Sequence, residues 1–274
     1  MNKVRLTFLF ACLVFTNGFA QPKPPKIYGT VYIDNTTLMA ETEVTIREWM
    51  GFIVNNNFDV SLFPDTACLT KSVRILFSDL HKRKDLDYLK VFNNQNDRRI
   101  FGAQAVRPAN QFDKLVKQDS SYLSIDVPIT GITYTQAQKF CKWKEGMIYN
   151  AKNVKVTVSL PSVEIYKRVI TNIDTLSKNG HCFTLNCSTA KCQTIAKDKA
   201  SKTQGGGLVI VRSYFPTSLG LYNIEGNAAE MTSTYGIAMG GSFRQTARES
   251  YNDRNQRYNK AEDWLGFRYI ISSK

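Results

Sequence analysis

Histidine is nearly missing from this chain. There are two in 274 residues, His81 and His181, far apart in sequence. That excludes a histidine-built iron or zinc centre, which needs several imidazoles at ligand spacing. After residue 20 the chain also lacks any apolar run near the roughly 20 residues that a membrane-spanning helix requires. No internal repeat and no Pro/Gly/Ser-rich linker divides it, so neither a solenoid nor a two-domain chain is expected. No nucleic-acid-binding motif accompanies its basic clusters. Acid is in deficit: 36 Lys and Arg face 23 Asp and Glu, for a formal net charge of +13.

What is present begins with the N-terminus. Lys3 and Arg5 precede a short apolar run at residues 6–15, and Ala20 stands just before Gln21. This is the order of a secretory signal peptide, with residues 1–20 removed on export. A lipoprotein box ending at Cys12 is the rival reading, but it would leave half the apolar run behind. Loss of residues 1–20 leaves +11, because it removes Lys3 and Arg5 and no acid. An exported protein with that charge is suited to acidic surfaces or glycans, or is simply kept soluble by it. The expected location is periplasmic, outer-membrane-associated or secreted.

Residues 21–27 read as an extended, proline-rich leader and residues 28–274 as one domain. Two capping boxes mark helix starts, Thr45 with Glu48 and Thr133 with Gln136. Ser162 is a third helix cap, and residues 72–90 carry helical spacing. Strands are expected at 27–33, 155–160, 208–214, 237–243 and 266–271, with a glycine-spaced loop at 219–230. The class is α+β, with few, short elements. Five cysteines remain after export: Cys68, Cys141, Cys182, Cys187 and Cys192. An odd number leaves at least one thiol unpaired, and Cys141, on the apolar face of its helix, is the candidate. Cys182, Cys187 and Cys192 lie close enough to supply a disulfide. With His181 they have the atoms for zinc, but the spacing is loose.

Five segments, in order, resemble the formylglycine-generating-enzyme or sulfatase-modifying-factor family. They are MAETEVTIREWMGF (39–52), PITGITYTQAQKFCKW (128–143), LPSVEIYKRVI (160–170), GLYNIEGNAAEMTS (220–233), and MGGSF (239–243) with LGFR (265–268). The resemblance implies a loop-rich variant of the C-type-lectin-like fold. It also implies a Ca²⁺ loop, with oxygens from Asn223, Gly226, Ala228 and Glu230 as hard ligands. Ala229 and Met231 replace two family tryptophans. A second calcium site of the family has no match. Arg268 is expected to be a buried structural fork.

The family's oxidases carry two cysteines after the G-G-S-aromatic strand. Here Gln245 takes the first position, and Ser250 or Asn252 the second, and no cysteine follows Cys192. Without soft sulfur ligands, copper and oxygen chemistry is not expected. The iron-dependent branch is excluded by the shortage of histidine. No copper, iron or nucleotide cofactor is therefore expected. The implied function is a non-catalytic binding or assembly domain, a pseudoenzyme similar to gliding-motility and type IX secretion lipoproteins, with an envelope or secretion-system protein as partner. The alternatives are a glycan-binding lectin-like module, or another chemistry in a cleft with Arg244, Glu249, Arg254 and Arg257.

Overall fold

The computed structural model describes residues 23–82, 125–171, 207–214, 216–245 and 255–274. Helix α1 (Ile46–Asn55) opens on the Thr45–Glu48 capping box, formed in both directions. The Thr45 hydroxyl accepts from the Glu48 N–H, and the Glu48 carboxylate accepts from the Thr45 N–H. Each satisfies an N–H that the helix start would leave orphaned. Helix α2 (Lys71–Lys82) follows, and the remainder of its predicted span, 83–90, lies outside the described residues. Helix α3 (Tyr134–Lys152) starts on the Thr133–Gln136 box and ends on Asn153 in the left-handed region. Helix α4 (Val163–Thr171) begins with the Ser162 hydroxyl accepting from the Ile165 N–H at 3.2 Å.

Two small sheets complete the domain. One has the order β1 (Thr30–Tyr32), β2 (Thr37–Ala40), β8 (Ile270–Ser273), β3 (Val156–Ser159), antiparallel throughout. The other has the order β6 (Gln256–Arg257), β5 (Ile237–Met239), β4 (Ala229–Met231), β7 (Leu265–Gly266), with β4 and β7 parallel.

Two strand expectations are corrected. The single strand expected at 266–271 is split: β7 and β8 belong to different sheets, and the chain passes between them at Phe267–Tyr269. The strand expected at 208–214 does not form. Its backbone is instead committed to side-chain amides and turns: the Val209 N–H donates to Asn227 Oδ1, and Val209 and Val211 carbonyls accept from Asn227 and Asn223.

An aromatic core joins the first sheet to α1 and α3. Trp49 stacks on Phe140 with centroids 5.7 Å apart, and Phe267 meets the Phe140 ring edge-on at 5.3 Å. The Trp49 Nε1–H donates to the Leu62 carbonyl, so this fully buried indole keeps its one hydrogen bond. Cys141 lies buried at this core as a free thiol, and Cys68 is also free. Burial pushes the Cys141 thiol up to about 12, so it behaves as a small apolar side chain. Cys182, Cys187 and Cys192 lie outside the described residues. Among the described residues no helix is long and apolar enough to cross a membrane.

Candidate functional site

The loop at 223–230 is built on unusual backbone. Asn223 and Asn227 have φ of 47° and 59°, and Gly226 has φ of 81°. These left-handed positions suit asparagine and glycine and turn the chain tightly. The loop is anchored on both sides: the Gly226 N–H donates to the Gly240 carbonyl at 2.7 Å, and the Phe243 N–H donates to the Asn227 carbonyl at 2.9 Å. The loop therefore sits directly against the Gly-Gly-Ser-Phe turn.

At the loop's end, Glu230 is buried against Arg268, with side chains 1% and 0% exposed. Arg268 Nε donates to both carboxylate oxygens, at 2.8 and 2.6 Å, and Nη2 donates to Oε1 at 2.6 Å. The Tyr166 hydroxyl donates to Oε2. The rest of the guanidinium donates to the carbonyls of Ala40, Glu41 and Tyr222. Arg268 is thus a buried fork tying β2, the 223–230 loop and the approach to β8 together.

A second carboxylate, Glu43, is wholly buried nearby. It accepts from Asn227 Nδ2 at 2.9 Å and from Asn223 Nδ2 at 3.3 Å. Burial pushes its carboxyl up to about 8; Arg268 opposes that rise and Glu230 adds to it. Burial also raises Glu230, against the pull of Arg268. Glu230 holds the guanidinium directly and Glu43 does not, so Glu230 carries the charge and Glu43 the proton.

The donor set fits a calcium ion in part. Asn223 Oδ1 is buried without a hydrogen-bond partner, an orphan that a cation would satisfy. The carbonyls of Gly226 and Ala228 are hard oxygen donors in the same loop. Each oxygen of Glu230, however, already receives two contacts, so as placed its lone pairs are spent on Arg268 and Tyr166.

Gln245 lies beside the buried Ser242, whose hydroxyl donates to its side-chain oxygen, and its own N–H donates to the Ser242 carbonyl at 3.1 Å. An amide fixed in a turn stands at the position expected to have held the first cysteine. Ser250 and Asn252 lie outside the described residues, as do Glu249 and Arg254. Arg244 is half-exposed and paired with Asp263, and Arg257 is an exposed residue of β6. Sequence reading missed Glu43, because an isolated glutamate reads as a surface residue. Its place inside the 39–52 motif was the only signal.

Short sheets and capped helices joined by long loops make a mixed α+β domain. The chain belongs to the family described as the sulfatase-modifying factor enzyme 1-like domain, whose model matches residues 29–273. Among solved structures, CarF is 13% identical, with 90% of this chain and 96% of that one covered and a TM-score of 0.48. Treponema denticola variable protein 1 is also 13% identical, covering 90% and 92%, with a TM-score of 0.48. PvdO from Pseudomonas aeruginosa is 15% identical, with 53% of this chain covered and a TM-score of 0.35, and the match spans 62% of PvdO's length. Among curated proteins none matches this chain.

Proposed function

We propose that this chain is an exported, non-catalytic member of its family, a binding or assembly domain working at the cell envelope. The observation that carries this reading is Gln245. An amide held by Ser242 cannot supply a thiolate to copper, and the sequence has no cysteine after Cys192 to replace it. Among the described residues, the 223–230 loop, the Gly-Gly-Ser turn and the Arg268 fork next to that position are all formed, which supports a domain that keeps its scaffold for binding.

Calcium belongs to the same reading, as a structural ion. It would be held by Asn223 Oδ1 and the carbonyls of Gly226 and Ala228, while Glu230, the fourth expected ligand, is engaged by Arg268 and Tyr166. The partner is an envelope or secretion-system protein, reached with help from the net positive charge. Affinity purification of the tagged chain from envelopes, read by mass spectrometry, tests the assembly role. A stable stoichiometric partner is expected, and its absence after cross-linking would count against the reading.

A further inference from the structure

A cleft of about 360 Å³ opens between the start of α1, the end of β2, the middle of α3 and residues 210–212. Among the described residues neither Gln245, Arg244, Arg257 nor any residue of the 223–230 loop lines it, although the carbonyl of the lining residue Val211 accepts from Asn223. Its floor holds Lys144, whose side chain is 3% exposed. The ammonium donates to Glu48 Oε1 at 3.1 Å and lies over the Tyr269 ring, 5.1 Å from its centroid. Burial alone would lower its proton affinity, but Tyr269 and Glu48 together hold it above the usual lysine range.

An ammonium has three N–H donors, and the hydrogen bond to Glu48 uses one of them; the Nζ also lies over the Phe140 ring, 5.9 Å from its centroid. A buried charge with an unused donor is costly unless an acceptor completes it. Arg47, paired with Asp126, and Arg212, half-exposed and paired with Glu41, add two further cations to the wall. At the mouth stand Tyr28 and Ile210, 48% and 47% exposed, two of the large apolar side chains that the domain leaves in solvent. The cleft therefore offers a cationic donor at its floor and an apolar surface at its mouth. Arg47, Lys144 and Arg212 face Glu48 and Asp126 in the lining, an excess of one positive charge that suits a singly charged head group better than a doubly charged phosphate. The volume is at the small end of ligand pockets, enough for one or two amino-acid-sized groups.

We propose that this cleft binds a carboxylate attached to an apolar group, with the carboxylate at Lys144 and the apolar group against Tyr28 and Ile210. Such a ligand has two natural sources, a free small acid or the C-terminal residue of a peptide. Both present one negative charge and one side chain.

The test uses the purified chain and calorimetric titration with four probes: N-acetyl-phenylalanine, its amide, and a glycine-rich pentapeptide ending in phenylalanine with a free or an amidated C-terminus. Binding of a free acid with at least a tenfold loss on amidation is expected. Tighter binding of the free-ended peptide identifies a chain terminus as the source, and tighter binding of the acetyl amino acid identifies a small acid. Tyr28→Ala and Arg212→Gln, both at exposed positions, should weaken binding several-fold without loss of folding. Lys144→Met should abolish it, with circular dichroism checking that this buried change leaves the fold intact. The proposal is overturned if neither acid binds, if acid and amide bind alike, or if Tyr28→Ala and Arg212→Gln leave the affinity unchanged.

Discussion

Arg268 and Glu230 form an ion pair that water does not reach, with Nη2 and Oε1 2.6 Å apart and the guanidinium donating onward to three backbone carbonyls. Desolvating two charges is expensive, and what offsets it here is the completeness of the hydrogen bonding. Removing one partner leaves the other buried and unpaired. Arg268→Met should therefore cost about 3–5 kcal/mol in urea denaturation. Arg268→Lys should rescue little of that, because an ammonium cannot span Glu230 and the three carbonyls at once.

Glu43 sets a pH dependence. Burial pushes its folded-state carboxyl up to about 8, from an ordinary value of 4.5. Between those values the folded chain holds a proton that the unfolded chain has released. The contribution of Glu43 to stability is therefore fully present below pH 4.5 and is lost as pH rises through about 8. The slope reaches at most about 1.4 kcal/mol per pH unit. Glu43→Gln, which keeps an uncharged acceptor at the Asn223 and Asn227 amides, should flatten this slope. Melting curves at pH 5 and pH 8 should show the variant gaining on the parent at the higher pH.

Gly240 is the pivot of the Gly-Gly-Ser turn. Its φ is 88°, and a Cβ there would stand 2.8 Å from the Ile224 carbonyl oxygen. Backbone strain and a clash with fixed backbone act in the same direction. Gly240→Ala should destabilise by at least about 1–3 kcal/mol, measured by thermal unfolding.

Much of this fold is written in local signals. Thr45 with Glu48 and Thr133 with Gln136 place two helix starts to the residue, because a capping box is a short-range device. The sheets are harder to read. Thr37–Ala40 is buried at every position, so β2 shows no alternation, and it is only four residues long. The stretch after Leu265 looks like one strand, yet Phe267 and Arg268 turn inward between two sheets to fill the aromatic core and hold Glu230. Val209 and Val211 have the composition of a strand, but amides 12–18 residues away in sequence claim their backbone. The pattern at 223–230 is legible as a loop of oxygen donors. That Glu230 spends its lone pairs on Arg268, and that Glu43 lies behind it, are tertiary facts.

The orphan Asn223 Oδ1 gives calcium a direct readout. If the ion is held there, adding a chelator should lower the melting temperature and millimolar Ca²⁺ should restore it, since a ligand bound only to the folded state stabilises it. Asn223→Ala should abolish the response. Identical melting with and without chelator would remove calcium from the account.

The central proposal is that this member of the family carries out no oxidase chemistry, and the assay that tests it most directly is oxidation of a sulfatase-type cysteine peptide. The purified chain, supplied with copper and oxygen, is incubated with the peptide, and mass spectrometry follows conversion of the thiol to an aldehyde. The account predicts no conversion above a protein-free control. Turnover that depends on the folded chain would contradict it.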